Sequence, residues 1–251
     1  MEEKNKIEEE GIIIKRNLTE SDQYDLSIKV IILGDSYVGK SSLINRLIYN
    51  NYKDLPSTVA IEYHTYIVSI NQYKIRMQIW DTAGQERYNS LVSNYYKGTE
   101  VAIFLYSIDN EDSFKNIKFW FKNLKENSNN TLNILIGNKK DIDFDNNDNN
   151  NTGEKKERMI SYEKAEKFAE ENNFSIFREI SCKSKEELDI KNIYEIFDEI
   201  GKFFYEKYKE KMNTSGSVNY QVTESMMNLG KKHRIQIEKE KEKEKNKEKC
   251  C

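Results

Sequence analysis

The sequence predicts an α/β fold: a doubly wound domain with a six-stranded, mostly parallel sheet and helices on both faces. Three observations carry this reading. Between residues 26 and 211, short apolar runs alternate with amphipathic stretches at helical spacing, the order of strand–helix–strand units. The first apolar run ends in a turn bounded by Gly34 and Gly39, and a helical pattern opens at Lys40. Further polar turns follow later apolar runs, at the strand ends where a parallel sheet opens a crevice.

Strands are expected at 28–33, 66–70, 74–80, 101–107, 132–136 and 175–180, and helices at 40–49, 86–95, 113–126, 161–172 and 193–208. Asn71-Gln72 separates the second and third runs by a two-residue hairpin turn. The remaining connections cross over, which leaves five of the six strands parallel. Residues 1–25 read as a charged N-terminal extension with one apolar patch, Ile12 to Ile14. The domain spans 26–211. Within it, residues 143–157 form an Asn-rich loop insert too polar to bury surface. Residues 212–251 form a flexible tail that is first Ser/Asn-rich and then alternates Lys with Glu.

Composition removes several classes. The 251 residues are 37% hydrophobic and 33% charged, with a formal net charge of −3. A nucleic-acid binder would usually carry a basic excess, so none is expected as a partner. No apolar run approaches the ~20 residues that span a bilayer. The first ten residues are charged and lack the apolar core of a signal peptide, and Glu2 excludes N-myristoylation. Three cysteines, Cys182, Cys250 and Cys251, make no disulfide framework. The expectation is a reduced protein of the cytosol. His64 and His233 point to no metal site.

Four short blocks carry chemistry. Gly34-Asp35-Ser36-Tyr37-Val38-Gly39-Lys40-Ser41 matches G-x-x-x-x-G-K-[ST] between a strand and a helix. Its glycines let backbone N–H groups face phosphate oxygens, and the helix N-terminus, continuing into Ser42, adds positive partial charge. Lys40 would bridge the β- and γ-phosphates, and the Ser41 hydroxyl would ligate Mg²⁺. Trp80-Asp81-Thr82-Ala83-Gly84-Gln85 ends the third strand. There Asp81 would sit beside the metal, Gly84 would bring an N–H to the γ-phosphate, and Gln85 would orient the attacking water. Asn138-Lys139-Lys140-Asp141 follows the fifth strand. Asp141 would accept hydrogen bonds from the guanine N1–H and 2-amino group; adenine has neither donor, so the unpaired carboxylate penalises it. Asn138 would brace the loop, and the Lys139 stem would cover a ring face. Ser181-Cys182-Lys183 would supply a backbone N–H, that of Cys182, to the guanine O6. The Cys182 side chain itself reads as a small buried residue rather than a reactive thiol.

These blocks, in this order and spacing, resemble the Ras superfamily of GTPases. The flanking residues Arg76-Met77-Gln78-Ile79-Trp80, Arg87-Tyr88-Asn89-Ser90-Leu91, Tyr95-Tyr96-Lys97-Gly98 and Tyr106-Ser107-Ile108-Asp109 narrow the resemblance to the Rab family. The resemblance covers about residues 26–208 and the last two. It implies a GTP/GDP switch with slow intrinsic hydrolysis that recruits effectors in vesicle traffic. It places Thr58 on the Mg²⁺ and Tyr52 against the nucleotide, and it puts Trp80, Tyr95 and Tyr63 on the effector face. The sequence departs from the pattern at Tyr37, where a small residue is usual, at Ala60 for Gly and at Tyr63 for Phe. The stretch from Tyr52 to Thr58, which includes Pro56, is one residue short.

The chain ends Lys249-Cys250-Cys251. In the Rab family such a pair receives two geranylgeranyl groups from a transferase with an escort protein; one chain alone holds a membrane only marginally. The resemblance therefore implies the cytoplasmic face of an intracellular membrane, a soluble pool held by a dissociation inhibitor, and exchange factors, activating proteins and effectors as partners. Residues 231–249 carry a net +4, a minor aid at an anionic surface. Two rival readings remain. A binding module that no longer cycles is motivated by Tyr37 and the short first switch, and opposed by Gln85, Thr58 and Asp81. A phosphate-loop kinase or ATPase is opposed by Asn138 and Asp141.

Overall fold

The computed structural model describes residues 6–9, 12–16, 23–53, 58, 61–82, 95–128, 130–145 and 157–213, with the side chains of 6–9, 144–145 and 211–213 left aside. The described strands are β1 (Lys6–Glu9), β2 (Ile12–Arg16), β3 (Leu26–Leu33), β4 (Glu62–Ile70), β5 (Tyr73–Asp81), β6 (Val101–Ser107), β7 (Leu132–Asn138) and β8 (Ile176–Glu179). The described helices are α1 (Lys40–Tyr49), α2 (Glu111–Lys115), α3 (Ile117–Asn127), α4 (Ile142–Asp145), α5 (Tyr162–Glu171) and α6 (Glu187–Asn213). One sheet orders the strands β1-β2-β4-β5-β3-β6-β7-β8. The pairs from β5 to β8 are parallel; those joining β1, β2, β4 and β5 are antiparallel.

The doubly wound layout follows from period-two burial. Along β3, Ile28, Val30 and Ile32 pack to one face, and Ile31 and Leu33 to the other. Along β6, Val101, Ile103 and Leu105 oppose Ala102, Phe104 and Tyr106 in the same way. A strand buried on both faces is apolar throughout, as parallel sheets require. The first face is covered by Leu43, Ile44 and Leu47 of α1 and by Ile193, Ile196, Phe197 and Ile200 of α6; the second by Ile117, Trp120 and Leu124 of α3 and by Ala165 and Ala169 of α5.

The six expected strands are present, but the sheet has two more. The segment read as an extension contributes β1 and β2, and Ile14 is buried against the core. β2 pairs with β4 at Ile14↔Ile70 and Arg16↔Val68. Asn71, in the hairpin turn at φ 56, fixes that register: its N–H donates to the Ile13 carbonyl at 2.6 Å, and Ile13 N–H donates to its Oδ1 at 2.9 Å. Arg16, half-buried, then forms an ion pair with the buried Asp198 of α6 and lies over the Tyr194 ring at 5.1 Å. A short apolar patch among charges is too brief a pattern to declare a strand, so the sequence alone does not reveal it.

Two further differences are local. The helix expected at 113–126 starts earlier and is broken at Asn116 into α2 and α3. Asn110 caps α2 by accepting from Ser113 N–H. The expected helix at 86–95 falls outside the described residues except at Tyr95. Of the insert, residues 146–156 also fall outside; Arg158, at its far end, pairs with Asp143 at its near end and with buried Glu179 at 2.8 Å.

Removing Arg16 takes from the buried Asp198 carboxylate the guanidinium that faces it, and a buried carboxylate that loses such a partner is costly. Arg16→Ala is expected to lower stability by about 3 kcal/mol in urea unfolding. Arg16→Met combined with Asp198→Leu should recover most of that loss, because neither charge remains.

Candidate functional site

The phosphate loop joins β3 to α1, and two glycines make its path possible. Gly34 has φ +145, and a Cβ there would sit 2.1 Å from the Leu105 carbonyl oxygen; Gly39 has φ +102, and a Cβ there would sit 2.2 Å from Asn138 Nδ2. Only glycine fits either approach. Gly39 caps α1 with no side-chain hydrogen bond, so the cap residue itself leaves the first-turn N–H groups open to another acceptor. Such an end is an anion site.

Lys40 is buried, and its ammonium donates to the carbonyls of Gly34 at 2.9 Å and Asp35 at 2.7 Å. Burial pushes its pKa down to about 8, against the opposing pull of Asp81 and Asp35. An anion in the crevice would stabilise the charged form and raise the pKa again. Around it, Ser41 Oγ lies 2.7 Å from Thr58 Oγ1 and donates to Asp81 Oδ2 in a short hydrogen bond. Burial raises the Asp81 pKa, opposed by the Ser41 bond and the Lys40 charge. Among the described residues Asp81 Oδ1 is buried with no hydrogen-bond partner, and so is Ser36 Oγ. An orphaned carboxylate oxygen beside two hydroxyls fits a hard divalent cation. Among the described residues no cluster of three or more His, Cys, Asp or Glu could hold a metal alone. At phosphates Mg²⁺ usually fills its remaining positions with ligand oxygens and water.

Asn138 ties the two halves of the site together. Its Nδ2 donates to the Val38 carbonyl at 2.8 Å, and its Oδ1 accepts from Cys182 N–H at 3.2 Å. The N–H expected at guanine O6 is thus engaged by Asn138 in this arrangement. Asp141 accepts from Ser181 Oγ at 2.5 Å and lies 3.8 Å from Lys183 Nζ. Lys139 adopts φ 72 and places its ammonium 3.4 Å from Asp109. Val38 is buried and Ser42 half-buried. Tyr52, just beyond α1, is half-buried against the core. Tyr37 is exposed at φ 64. Gly84, Gln85, Cys250 and Cys251 lie outside the described residues.

Several groups at this site are not apparent from the sequence. Asp35 is held by Trp120 Nε1 at 2.8 Å and Asn116 Nδ2 at 2.7 Å. Trp120 is therefore a hydrogen-bond donor to the phosphate loop as well as a core residue. The i,i+4 spacing of Asn116 and Trp120 is the signal that could have placed both on one face. Asp109 at Lys139 has no such signal. On the neighbouring surface Tyr63 and Trp80 meet edge-on at 5.2 Å, and Trp80 and Tyr95 lie at 5.3 Å.

A glycine-built phosphate loop, a hydroxyl–carboxylate cluster and a base-loop Asp at the carboxyl ends of a parallel sheet define a phosphate-loop nucleotide-binding protein. The Ras family model matches residues 29–206. The Ras-related protein Rab-11B of Dictyostelium discoideum is 33% identical over 232 residues, which cover 91% of this chain and 97% of that protein. The GTP-binding protein ypt3 of Schizosaccharomyces pombe is 37% identical over 185 residues, covering 73% and 78%. The Ras-related protein RABA1h of Arabidopsis thaliana is 34% identical over 197 residues, covering 78% and 82%. The chain belongs to the Ras family, as a Rab-type small GTPase.

Two outcomes follow from the loop geometry. Burial pushes the Cys182 thiol up to about 12, so the reactive thiolate is scarce at pH 8.5. Iodoacetamide at that pH should leave Cys182 unmodified in the folded protein and alkylate it after denaturation, as read by peptide mass. A left-handed non-glycine residue costs about 1–2 kcal/mol, part of which glycine returns as chain entropy in the unfolded state. Tyr37→Gly should therefore stabilise the domain by about 0.5 kcal/mol in urea unfolding.

Proposed function

We propose that this GTPase is a guanine-nucleotide switch of vesicle traffic and that the residues gathered above divide its work. Lys40 and the N–H groups of residues 34–42 hold the phosphates. Asp141 selects guanine, Asn138 braces the loop, Lys139 covers a ring face, and residues 181–183 face O6. Tyr52 stacks beside the nucleotide. Ser41, Thr58 and Asp81 would hold Mg²⁺, which when bound neutralises charge on the phosphate oxygens. Gly84 meets the γ-phosphate and Gln85 orients the attacking water. The observation that carries the reading is the meeting of Ser41, Thr58 and Asp81 beside the buried Lys40. These residues come from α1, the first switch and β5, and a terminal phosphate with its cation joins such elements.

The switch output falls on the surface around Tyr63, Trp80 and Tyr95, which effectors would read in the GTP state. An exchange factor would open the nucleotide site, and an activating protein would supply an arginine to speed hydrolysis. Among the described residues no helix is long and apolar enough to cross a membrane. Attachment is assigned to geranylgeranyl groups on Cys250 and Cys251, added by a transferase with an escort protein and masked by a dissociation inhibitor. The protein would then work at the cytoplasmic face of an intracellular membrane and keep a soluble pool.

Nucleotide released by denaturing purified, EDTA-free protein should be GDP or GTP, near one per chain, and Asp141→Asn should lose the preference for guanine over xanthine bases. Recovery of adenine nucleotide, or of none with no rebinding of GDP, contradicts the assignment. Single-turnover hydrolysis should slow at least tenfold in Gln85→Leu with GTP affinity kept.

A further inference from the structure

Arg46 is a charged residue in a place where charge is costly. It lies on the inner side of α1, 4% exposed. Among the described residues its partners are carbonyl oxygens. Nε and Nη2 donate to the Cys182 carbonyl at 3.0 and 2.9 Å. Nη2 also reaches the Ser184 carbonyl at 2.9 Å and the Lys183 carbonyl at 3.4 Å. Nη1 donates to the Asn50 carbonyl at 3.2 Å, at the C-terminal end of the same helix. A buried guanidinium without a carboxylate is expensive to hold, and it persists only where many hydrogen bonds offset its desolvation. Here three consecutive carbonyls of one loop converge on one rigid fork.

That loop is residues 182–184. In a trans peptide the N–H points opposite to the C=O. Drawing the Cys182 carbonyl onto Arg46 therefore turns the Lys183 N–H away from Arg46. Cys182 N–H is held by Asn138 Oδ1 at 3.2 Å, and Ser184 N–H by Ser181 Oγ at 2.9 Å. The peptide planes of the loop are thus fixed from both sides, with Arg46 holding the carbonyls. α1 begins at Lys40 and Ser41, so the helix that faces the phosphates also anchors the base loop, about 9 Å further along its axis.

We infer that Arg46 is the positioning residue of the base-binding loop: by holding the carbonyls of residues 182–184 it sets how selectively the protein reads the O6 edge of guanine and how slowly nucleotide leaves. The inference rests on the assignment of residues 138–141 and 181–183 to the base. It separates two readings of guanine that share one pocket. Asp141 reads N1–H and the 2-amino group; the loop held by Arg46 reads O6.

The test uses full-length protein with GDP, IDP (which lacks the 2-amino group) and 6-thio-GDP (whose sulfur accepts hydrogen bonds poorly). Release rates and affinities are compared for wild type, Arg46→Lys and Arg46→Met at pH 7. Arg46→Met should release GDP about tenfold faster, the effect of losing one charge-assisted buried hydrogen bond. Its preference for GDP over 6-thio-GDP should fall toward one, while its preference for GDP over IDP stays within twofold. Arg46→Lys keeps the charge with fewer aligned donors and should fall between; it carries the test if the Met variant does not fold. Equal loss of both preferences, or unchanged release in either folded variant, overturns the inference. A wild type that binds GDP and IDP alike overturns the base assignment itself, and this inference with it.

Discussion

The Lys40 ammonium in a water-poor crevice is the constraint on which the rest of this structure depends. Burial alone drives its pKa down, and two backbone carbonyls and the carboxylates of Asp81 and Asp35 only partly offset that cost. A site that holds a buried cation and a half-satisfied Asp81 is built for an anion with a counter-cation, not for its own stability. The two glycines, the uncapped start of α1 and the hydroxyls of Ser41 and Thr58 all serve that arrangement. So does the placement of β3 between β5 and β6, because it sets the loop at the carboxyl edge of the sheet with Asp81 on one side and the base loops on the other.

Around that constraint, long side chains tie distant parts of the chain. Asn138 links the phosphate loop to the base loop, and Arg46 holds the base loop from behind. Trp120 and Asn116 hold Asp35, so the phosphate loop is braced by α3 as well as by α1. At the opposite end of the sheet, Arg16 and Asp198 bind the N-terminal strand to α6. Hydrogen bonds to charged groups are the stronger ones, and in buried positions each is costly to break. The resulting site is rigid at the base and phosphate walls. The described part of the first switch meets it through the single Thr58 hydroxyl, the kind of slender link that a switch can make and break.

Much of this architecture is legible in the amino-acid sequence. α1 at 40–49 and β6 at 101–107 fall where the apolar pattern places them, because each pattern is long and bounded by turn residues. Gly34, Gly39, Lys40, Ser41, Asp81, Asn138 and Asp141 are legible because their spacing encodes a backbone path as well as a chemistry. What is not legible is long-range. Arg46 and Cys182 are separated by 136 residues, Arg16 and Asp198 by 182. No periodicity reports such pairs. The N-terminal strand is hidden for a related reason: its register comes from Asn71, far along the chain, and its own pattern is Ile12-Ile13-Ile14 and little else. The break at Asn116 is hidden because that residue fits a helix, and only the fold shows its reach to Asp35.

Thermal unfolding of nucleotide-stripped protein, with and without GDP and Mg²⁺ and with ADP as control, bears most directly on the buried cation. A ligand that binds only the folded state at a hundredfold excess over its Kd adds about 2.7 kcal/mol. For a domain of this size that corresponds to roughly 5–10 °C. The account predicts such a rise with GDP, little with ADP, and for Lys40→Met a higher starting Tm with almost no response. A stripped Lys40→Met variant that melts no higher than wild type and still gains fully from GDP would contradict it.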